Sequence, residues 1–373
     1  MNGTTSFRAS VSRESDRELQ RAERGLCPRR RAEVDVILAQ AMTKGASDVH
    51  IVAGFPLLFR IDGELVPVTR GCLNDATVRR LSYSILEEEQ ISEFERRREF
   101  DSIRSYPGLG RYRMNLSFTG GRIAAVYRVL PAAPLPLESI NLPRLVYRLP
   151  RARKGLILIT GGTSQGKTTT FASLIDAINR TQRKNVITIE DPIEYVHPYK
   201  HSTVRQREVG KDTESFASGL RAALRQDPDV IAIGEMRDFD TIRIALTAAA
   251  TGVLVLSTLH IYSVDKIIER LLSYAPDGSE GHLRSLLAEA LLCIIHQELL
   301  TTVNREKRVA CEVLVACDGV RNLIRNRGTY QLRNVIATGA RYGMQTMKNS
   351  LDQLREDGEI TETLYQAVLD SYQ

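Results

Sequence analysis

Long apolar runs are the first thing this chain of 373 residues does without. Its most apolar stretch, LRSLLAEALLCIIHQELL (283–300), is interrupted by Arg284, Glu289 and Glu298. The apolar positions Leu283, Leu286, Leu287, Ala290, Leu291, Ile294 and Ile295 recur at helical spacing, so the stretch reads as one helix with a buried face and not as a membrane span. Cysteine is also sparse. Cys27, Cys72, Cys293, Cys311 and Cys317 form no CxxC pair, which argues against a thiolate zinc site and against a disulfide framework. Nothing at the N-terminus resembles a secretory signal, and the expectation is a cytoplasmic protein. Aromatic residues make up 6% of the chain, with no aromatic-plus-basic groove on which bases would stack. No internal repeat is found.

What is present is an ordinary globular composition, 43% apolar and 26% charged, in a length sufficient for two or three domains. The net charge of +6 invites nucleic acid or an anionic membrane as a partner. Much of that excess is local, because residues 1–32 hold eight arginines against four acidic side chains. This segment is rich in Ser and Arg and poor in large apolar residues. It reads as a disordered basic tail, with a nucleic-acid arm as the alternative.

Residues 33–130 read as an α+β domain. A short helix leads into the strand of GASDVHI, and PLLFRIDGELVPV (56–68) alternates apolar and polar residues around Asp62-Gly63, a hairpin signal. A charged helical pattern covers 74–98, and GRYRMNLSF and IAAVYRVL flank TGGR as a second hairpin. Pro131, Pro134, Pro136, Pro143 and Pro150 crowd the segment 131–154, which reads as an extended linker. From 155 to 373 the pattern changes. GLILIT, NVITIE, DVIAIG and VLVLST alternate with helical patterns, which predicts a parallel sheet covered on both faces. Past about residue 275 the chain reads as mostly helical, with one β-like stretch at 309–316.

One loop carries the sharpest chemistry. Gly161, four residues, Gly166, Lys167 and Thr168 fit G-x-x-x-x-G-K-T between an apolar strand and a helix. Glycines let the backbone curl its N–H groups towards phosphate oxygens. The lysine reaches the β and γ phosphates, the threonine hydroxyl can bind Mg²⁺, and the helix presents its positive end. Three further strand ends carry Glu190, Glu235 and His260, and ligands of open α/β sheets bind beyond the carboxyl ends of the strands. Glu190 and Glu235 are the candidates for activating water and for holding Mg²⁺, and sequence order alone does not assign them. Two arginine sets stand by. Arg221 and Arg225 fall at i and i+4 on one helix face, and Arg111 and Arg113 share a strand face with Arg128 on the hairpin partner.

Together these residues resemble the secretion and type IV pilus ATPases, and within them the PilT-type retraction branch. The resemblance runs from about 33 to 370 and rests on separate motifs in one order: GASDVHI, FRIDGEL and PGLGRYRMN, then GGTSQGKTTT, ITIEDPIEYVH, LRQDPDVIAIGEMRD, STLH and GVRNLIRN. The chain lacks the larger N-terminal region and four-cysteine motif usual in the secretion and extension branches. By resemblance the fold is an α/β RecA-like P-loop core with a parallel sheet, preceded by a smaller PAS-like α+β domain and followed by a helical C-terminal region. The resemblance further implies a homo-hexameric ring binding ATP and Mg²⁺ between the N-terminal domain and the core, peripheral to the bacterial inner membrane. Its partners would be a membrane platform protein and a paralogous motor ATPase, with no nucleic acid. Gly161, Gly162, Thr163, Ser164, Gln165, Gly166, Lys167, Thr168 and Thr169 would hold the nucleotide. Glu190 would be the base, and Glu235 with Thr168 would serve the metal. His260 would couple nucleotide state to movement, and Arg113, Arg128, Arg221 and Arg225 would sense phosphate. Hydrolysis would drive relative movement of the two domains in pilus retraction. A weakly active accessory paralogue and a nucleic-acid translocating ATPase are the alternatives.

Departures from the family pattern are local. Gly162, Ser164 and Gln165 replace residues of the usual Gly-Pro-Thr-Gly-Ser-Gly-Lys. Ser164 takes the place of a glycine whose backbone angle is costly for serine, and the Gln165 side chain is expected to point outward. Ile261 and Tyr262 follow the histidine where small polar residues are common, and Asn326 ends the C-terminal signature in place of glutamate.

Overall fold

The computed structural model describes residues 33–372 apart from 62, 107–109, 132, 262 and 263. The tail expected over 1–32, the Asp62 turn position and Tyr262 therefore lie outside the described residues. The chain divides into two compact units at the Pro131/Ala132 boundary.

The first unit is built on an antiparallel sheet. Its strands are β1 (Asp48–Val52), β2 (Leu58–Ile61), β3 (Glu64–Pro67), β4 (Glu99–Tyr106), β5 (Gly110–Thr119) and β6 (Arg122–Leu130), ordered β3-β2-β1-β6-β5-β4. Helices α1 (Glu33–Thr43), α2 (Asp75–Tyr83) and α3 (Glu88–Arg97) complete it. Period-2 alternation puts Tyr112, Met114 and Leu116 of β5 and Ile123, Ala125 and Tyr127 of β6 into one core, leaving the other face polar. The β5–β6 hairpin pairs Thr119 with Arg122 and Arg113 with Arg128, so the TGGR turn lies where the sequence places it. The charged pattern over 74–98 is two helices, not one.

The second unit carries a seven-stranded sheet. Its members are β7 (Gly155–Thr160), β8 (Asn185–Glu190), β9 (Thr203–Glu208), β10 (Val230–Ile233), β11 (Leu254–Leu259), β12 (Leu291–Thr301) and β13 (Lys307–Val315), ordered β13-β12-β7-β11-β10-β8-β9. Only the β12–β13 pairing is antiparallel. Strand β7 explains the continuous apolar reading of these segments. Its Leu156 and Leu158 enter one apolar cluster while Ile157 and Ile159 enter the cluster on the opposite face, so the stretch between Gly155 and Thr160 leaves no position for a polar residue. Helix α4 (Lys167–Thr181) covers the second face with Phe171, Leu174, Ile175 and Ile178. Helices α5 (Phe216–Ala223), α6 (Phe239–Thr251), α7 (Val264–Leu272) and α8 (Glu280–Ala290) cover the first.

Two expectations need correction. The stretch 283–300 is not one helix, because α8 ends at Ala290 and β12 begins at Leu291. Arg321 donates to the carbonyls of Ala288 and Glu289 at 2.5 and 2.6 Å, taking acceptors that a continuing helix would use. LLCII (291–295) then finds β7 alongside it as a parallel partner. A short apolar run of this kind fits either element by periodicity, and tertiary pairing decided it. Nor is the proline-rich segment an extended crossover throughout. It forms 3₁₀ turns at Leu137–Ser139 and Val146–Arg151, and Leu137, Ile140, Leu142, Val146 and Leu149 bury against the α4 face. The C-terminal helices α9 (Asp318–Arg325), α10 (Leu332–Thr338), α11 (Met347–Glu356) and α12 (Glu362–Asp370) follow. Met347, Leu351 and Leu354 of α11 pack on Leu300 and Ala310 of the β12–β13 ribbon.

Candidate nucleotide site

The sheet order decides which side chains meet. Strand β7 runs into the glycine loop and α4, β11 beside it ends before His260, β10 ends two residues before Glu235, and β8 ends on Glu190. All four are parallel, so their carboxyl ends share one edge of the sheet. Lys167, His260, Glu235 and Glu190 line up there in that order.

The loop is shaped by its neighbours. Gly161 adopts φ +145°, and a Cβ there would collide with the backbone oxygen of Gln297, so no other residue fits. The buried Lys167 amine donates to the Gly161 carbonyl at 3.0 Å and to that of Gly162, and lies 3.2 Å from His260 Nδ1. The lysine can only donate, so Nδ1 accepts and the ring proton sits on Nε2, 4.0 Å from Glu235 Oε2. Burial, then the neighbouring Lys167 and Arg237 charges, hold the His260 pKa below its usual value against the pull of Glu235. Burial likewise lowers the Lys167 pKa, opposed by Glu235 and Glu298. Glu235 Oε1 pairs with Arg237 at 2.6 Å. Thr163, Glu235, Arg237, His260 and Arg270 line a cleft of about 620 Å³.

Glu190 is held from two sides. Its Oε1 accepts from Thr188 Oγ1 at 2.6 Å and from Gln206 Nε2 at 2.9 Å, which fixes the orientation of a buried carboxylate. Thr168 occupies the first turn of α4, half-buried. Thr169 turns to the Tyr195 hydroxyl at 3.0 Å.

Among the described contacts of the second unit, Arg221 and Arg225 do not join this line. Arg113 and Arg128 face each other across β5 and β6. Arg113 makes two hydrogen bonds to Asp101 (3.1 and 2.8 Å), and Arg128 Nε pairs with the buried Asp48 at 2.8 Å. Burial raises the Asp48 pKa, but the hydrogen bonds from Arg128 and Ser47 outweigh it and hold the carboxyl low. Arg221 is exposed and pairs with Asp240 at 2.9 Å. Arg225 lies past the end of α5, not one turn along it, since the helix stops at Ala223. Asp227 at φ +51° and Pro228 end the helical course there. Arg321 of the C-terminal signature caps α8 as described above.

Sequence reading missed the wall of the loop. Beyond its last pairing with β7, His296 opposite Thr160, strand β12 continues past the glycines. The Gln165 side chain turns inward, its Oε1 accepting from Leu299 N at 2.6 Å, while Gln297 Nε2 donates to the Gln165 carbonyl at 2.6 Å. Next to them the buried His296 bridges Thr160 Oγ1, at 3.0 Å from Nδ1, and the Tyr372 hydroxyl. In the sequence the signal is HQEL following LLCII, which falls inside the run that reads as helix.

A curled glycine loop feeding a helix, with a buried lysine and acids at neighbouring parallel strand ends, defines a RecA-like P-loop ATPase. Residues 135–370 match a family model described as type II/IV secretion system protein. The type IV pilus retractation ATPase PilT of Pseudomonas aeruginosa is 39% identical over 329 residues, spanning 88% of this chain and 96% of its own length. A twitching motility protein of Neisseria gonorrhoeae is 40% identical over 304 residues, 81% of each chain. The crystal structure of the pilus retraction motor PilT with bound ADP matches with a TM-score of 0.81 at 41% identity, over 88% of this chain and 94% of that one. The chain belongs to the type II/IV secretion system ATPase family, in its PilT-type branch. Among the described residues no helix is long and apolar enough to cross a membrane.

Proposed function

We propose that the protein is a Mg²⁺-dependent motor that hydrolyses ATP to power type IV pilus retraction, working as a hexameric ring with a membrane platform protein. The observation that carries the reading is the contiguous line of Lys167, His260 and Glu235 beside the fixed carboxylate of Glu190. Lys167 exchanges its loop carbonyls for the β and γ phosphates. Glu190 accepts the proton of the attacking water as the bond from the γ phosphorus to the bridging oxygen breaks, giving ADP and phosphate. Thr168 and Glu235 would hold Mg²⁺ through their oxygens, the ligand type this hard cation takes. That ion would offset charge on the phosphate oxygens. His260, linked to both Lys167 and Glu235, reports the phosphate state to the rest of the chain. Arg113, Arg128, Arg221 and Arg225 contribute charge that answers the phosphates.

Steady-state ATP hydrolysis with Mg²⁺ tests the reading. Glu190→Gln is expected to lower kcat by about 10²–10⁴-fold with ADP binding kept, and Lys167→Ala to lose nucleotide binding as well. Single-stranded DNA is expected to leave the rate unchanged. A wild type that binds ATP without turnover would support the accessory-paralogue reading, which the left-handed Ser164 (φ +63°) motivates.

A further inference from the structure

Ser164 and Gln165, two of the three loop residues that depart from the family pattern, meet in one device. Ser164 stands at φ +63°, a left-handed conformation that a residue with a Cβ adopts at a cost glycine does not bear. Such a residue keeps that conformation only when its surroundings over-determine it. The following residue is held at two polar points. The Gln165 carbonyl accepts from Gln297 Nε2, and the Gln165 side-chain Oε1 accepts from the Leu299 N–H, both at 2.6 Å. Both donors sit on the part of β12 that β7 no longer pairs. Gln297 is fully buried, and its carbonyl and amide also abut Gly161 and Gly166. The glutamine thus continues the ladder where the neighbouring strand has ended, giving the Leu299 N–H a partner it would otherwise lack. A serine at 165, two carbons shorter, would not span the same gap.

We propose that Gln165 is a positioning residue for the nucleotide loop: its clasp on β12 holds Ser164 in the left-handed conformation and keeps the loop N–H groups set for phosphate. The proposal rests on the reading that 161–168 binds nucleotide phosphates. Where a glycine at 164 would adopt the curl freely, this chain uses a serine and a tether. The two departures therefore act as one unit, and neither is neutral alone.

The experiment is a double-mutant cycle on the full chain. Equilibrium binding of a fluorescent ADP analogue, KM and kcat for ATP, and the thermal midpoint are measured for wild type, Gln165→Met, Ser164→Gly and the double variant. Gln165→Met keeps the side-chain length and removes the acceptor, and Gln165→Ser repeats the test with the usual family residue. We expect Gln165→Met to weaken ADP binding about tenfold, about 1.4 kcal/mol, and to raise KM far more than it lowers kcat. In the Ser164→Gly background the same change is expected to cost about threefold or less, a coupling typical of residues in one network. Equal penalties in both backgrounds, or no penalty in the first, overturn the proposal. A wild type that binds no nucleotide overturns instead the ATPase reading beneath it. If Gln165→Met does not fold, Gln165→Ser with and without Ser164→Gly gives the same comparison.

Discussion

The two sheets of this molecule put their polar chemistry in different places. In the second unit the inner parallel strands β7, β8, β10 and β11 are buried on both faces, as β7 shows by feeding two apolar clusters with alternate residues. Charged groups are kept to the ends of these strands, where Glu190, Glu235, His260 and Lys167 collect on one edge. In the first unit the antiparallel sheet buries one face only. Its charged residues therefore lie on the strands themselves, as the Arg113–Asp101 and Arg128–Asp48 pairs. A strand-end site is concentrated and half-desolvated, while a sheet-face site is spread out and screened. Perturbations of equal chemistry should therefore cost more in the second unit.

The largest expected difference is in acid. His197 and His296, both buried in the second unit, have pKa values pushed down by burial to about 4. The unfolded chain protonates its histidines near their ordinary 6.5 while the native state does not. Unfolding therefore takes up protons between about pH 6.5 and 4, and stability falls as pH drops through that window. Each histidine accounts for about 3 kcal/mol once the pH is below 4. In the first unit His50 is also lowered by burial, but Asp48 pulls the other way, and its share is smaller. Urea unfolding at pH 7 and pH 5 measures the loss, and His296→Gln should reduce it. An unchanged midpoint between those pH values would sink this part of the comparison.

Next comes one substitution made twice. Gly161→Ala places a methyl group against the Gln297 carbonyl at φ +145°, whereas Gly121→Ala on the β5–β6 turn meets nothing within 4 Å at φ +78°. The first should cost about 3 kcal/mol and abolish ADP binding, since backbone cannot step aside cheaply. The second should cost about 1 kcal/mol, the conformational term alone, with ADP binding intact. Chemical denaturation with ADP titration on both variants checks the pair.

How much of this was legible follows the same division. The glycine loop and the strand-end acids could be read because each inner parallel strand is a nearly continuous apolar run with a glycine, a glutamate or a histidine at or just past its carboxyl end. The hairpins were legible from Gly-Gly and from Asp62-Gly63. What failed was any decision that periodicity does not make. Helix α8 and β12 share one apolar run, and only the Arg321 cap and an available β7 neighbour separate them. With that strand read as helix, Gln297, Leu299 and His296 could not be placed beside the loop, and Gln165 was expected to face outward. Arg225 fell off its helix because Asp227 and Pro228 stop α5 early. For the Arg113–Arg128 pair the sequence supplied the face but not the aspartates opposite: Asp101 comes from the neighbouring β4 and Asp48 from β1, far away in the chain.

The smallest expected effect is the most telling about the first unit. Arg113 and Asp101 are each partly exposed, and a pair of that kind contributes at most about 1 kcal/mol. Arg113→Ala and Asp101→Ala should therefore shift the unfolding free energy by about the same small amount. Activity should separate them. If Arg113 answers the nucleotide phosphates, its loss lowers ATP turnover about tenfold or more, while Asp101→Ala leaves an arginine still present and turnover near wild type. Matched activities in the two variants would return Arg113 to the sheet face as an ordinary ion-pair partner. The antiparallel sheet would then hold its charges for folding, and the phosphate chemistry would belong to the parallel one.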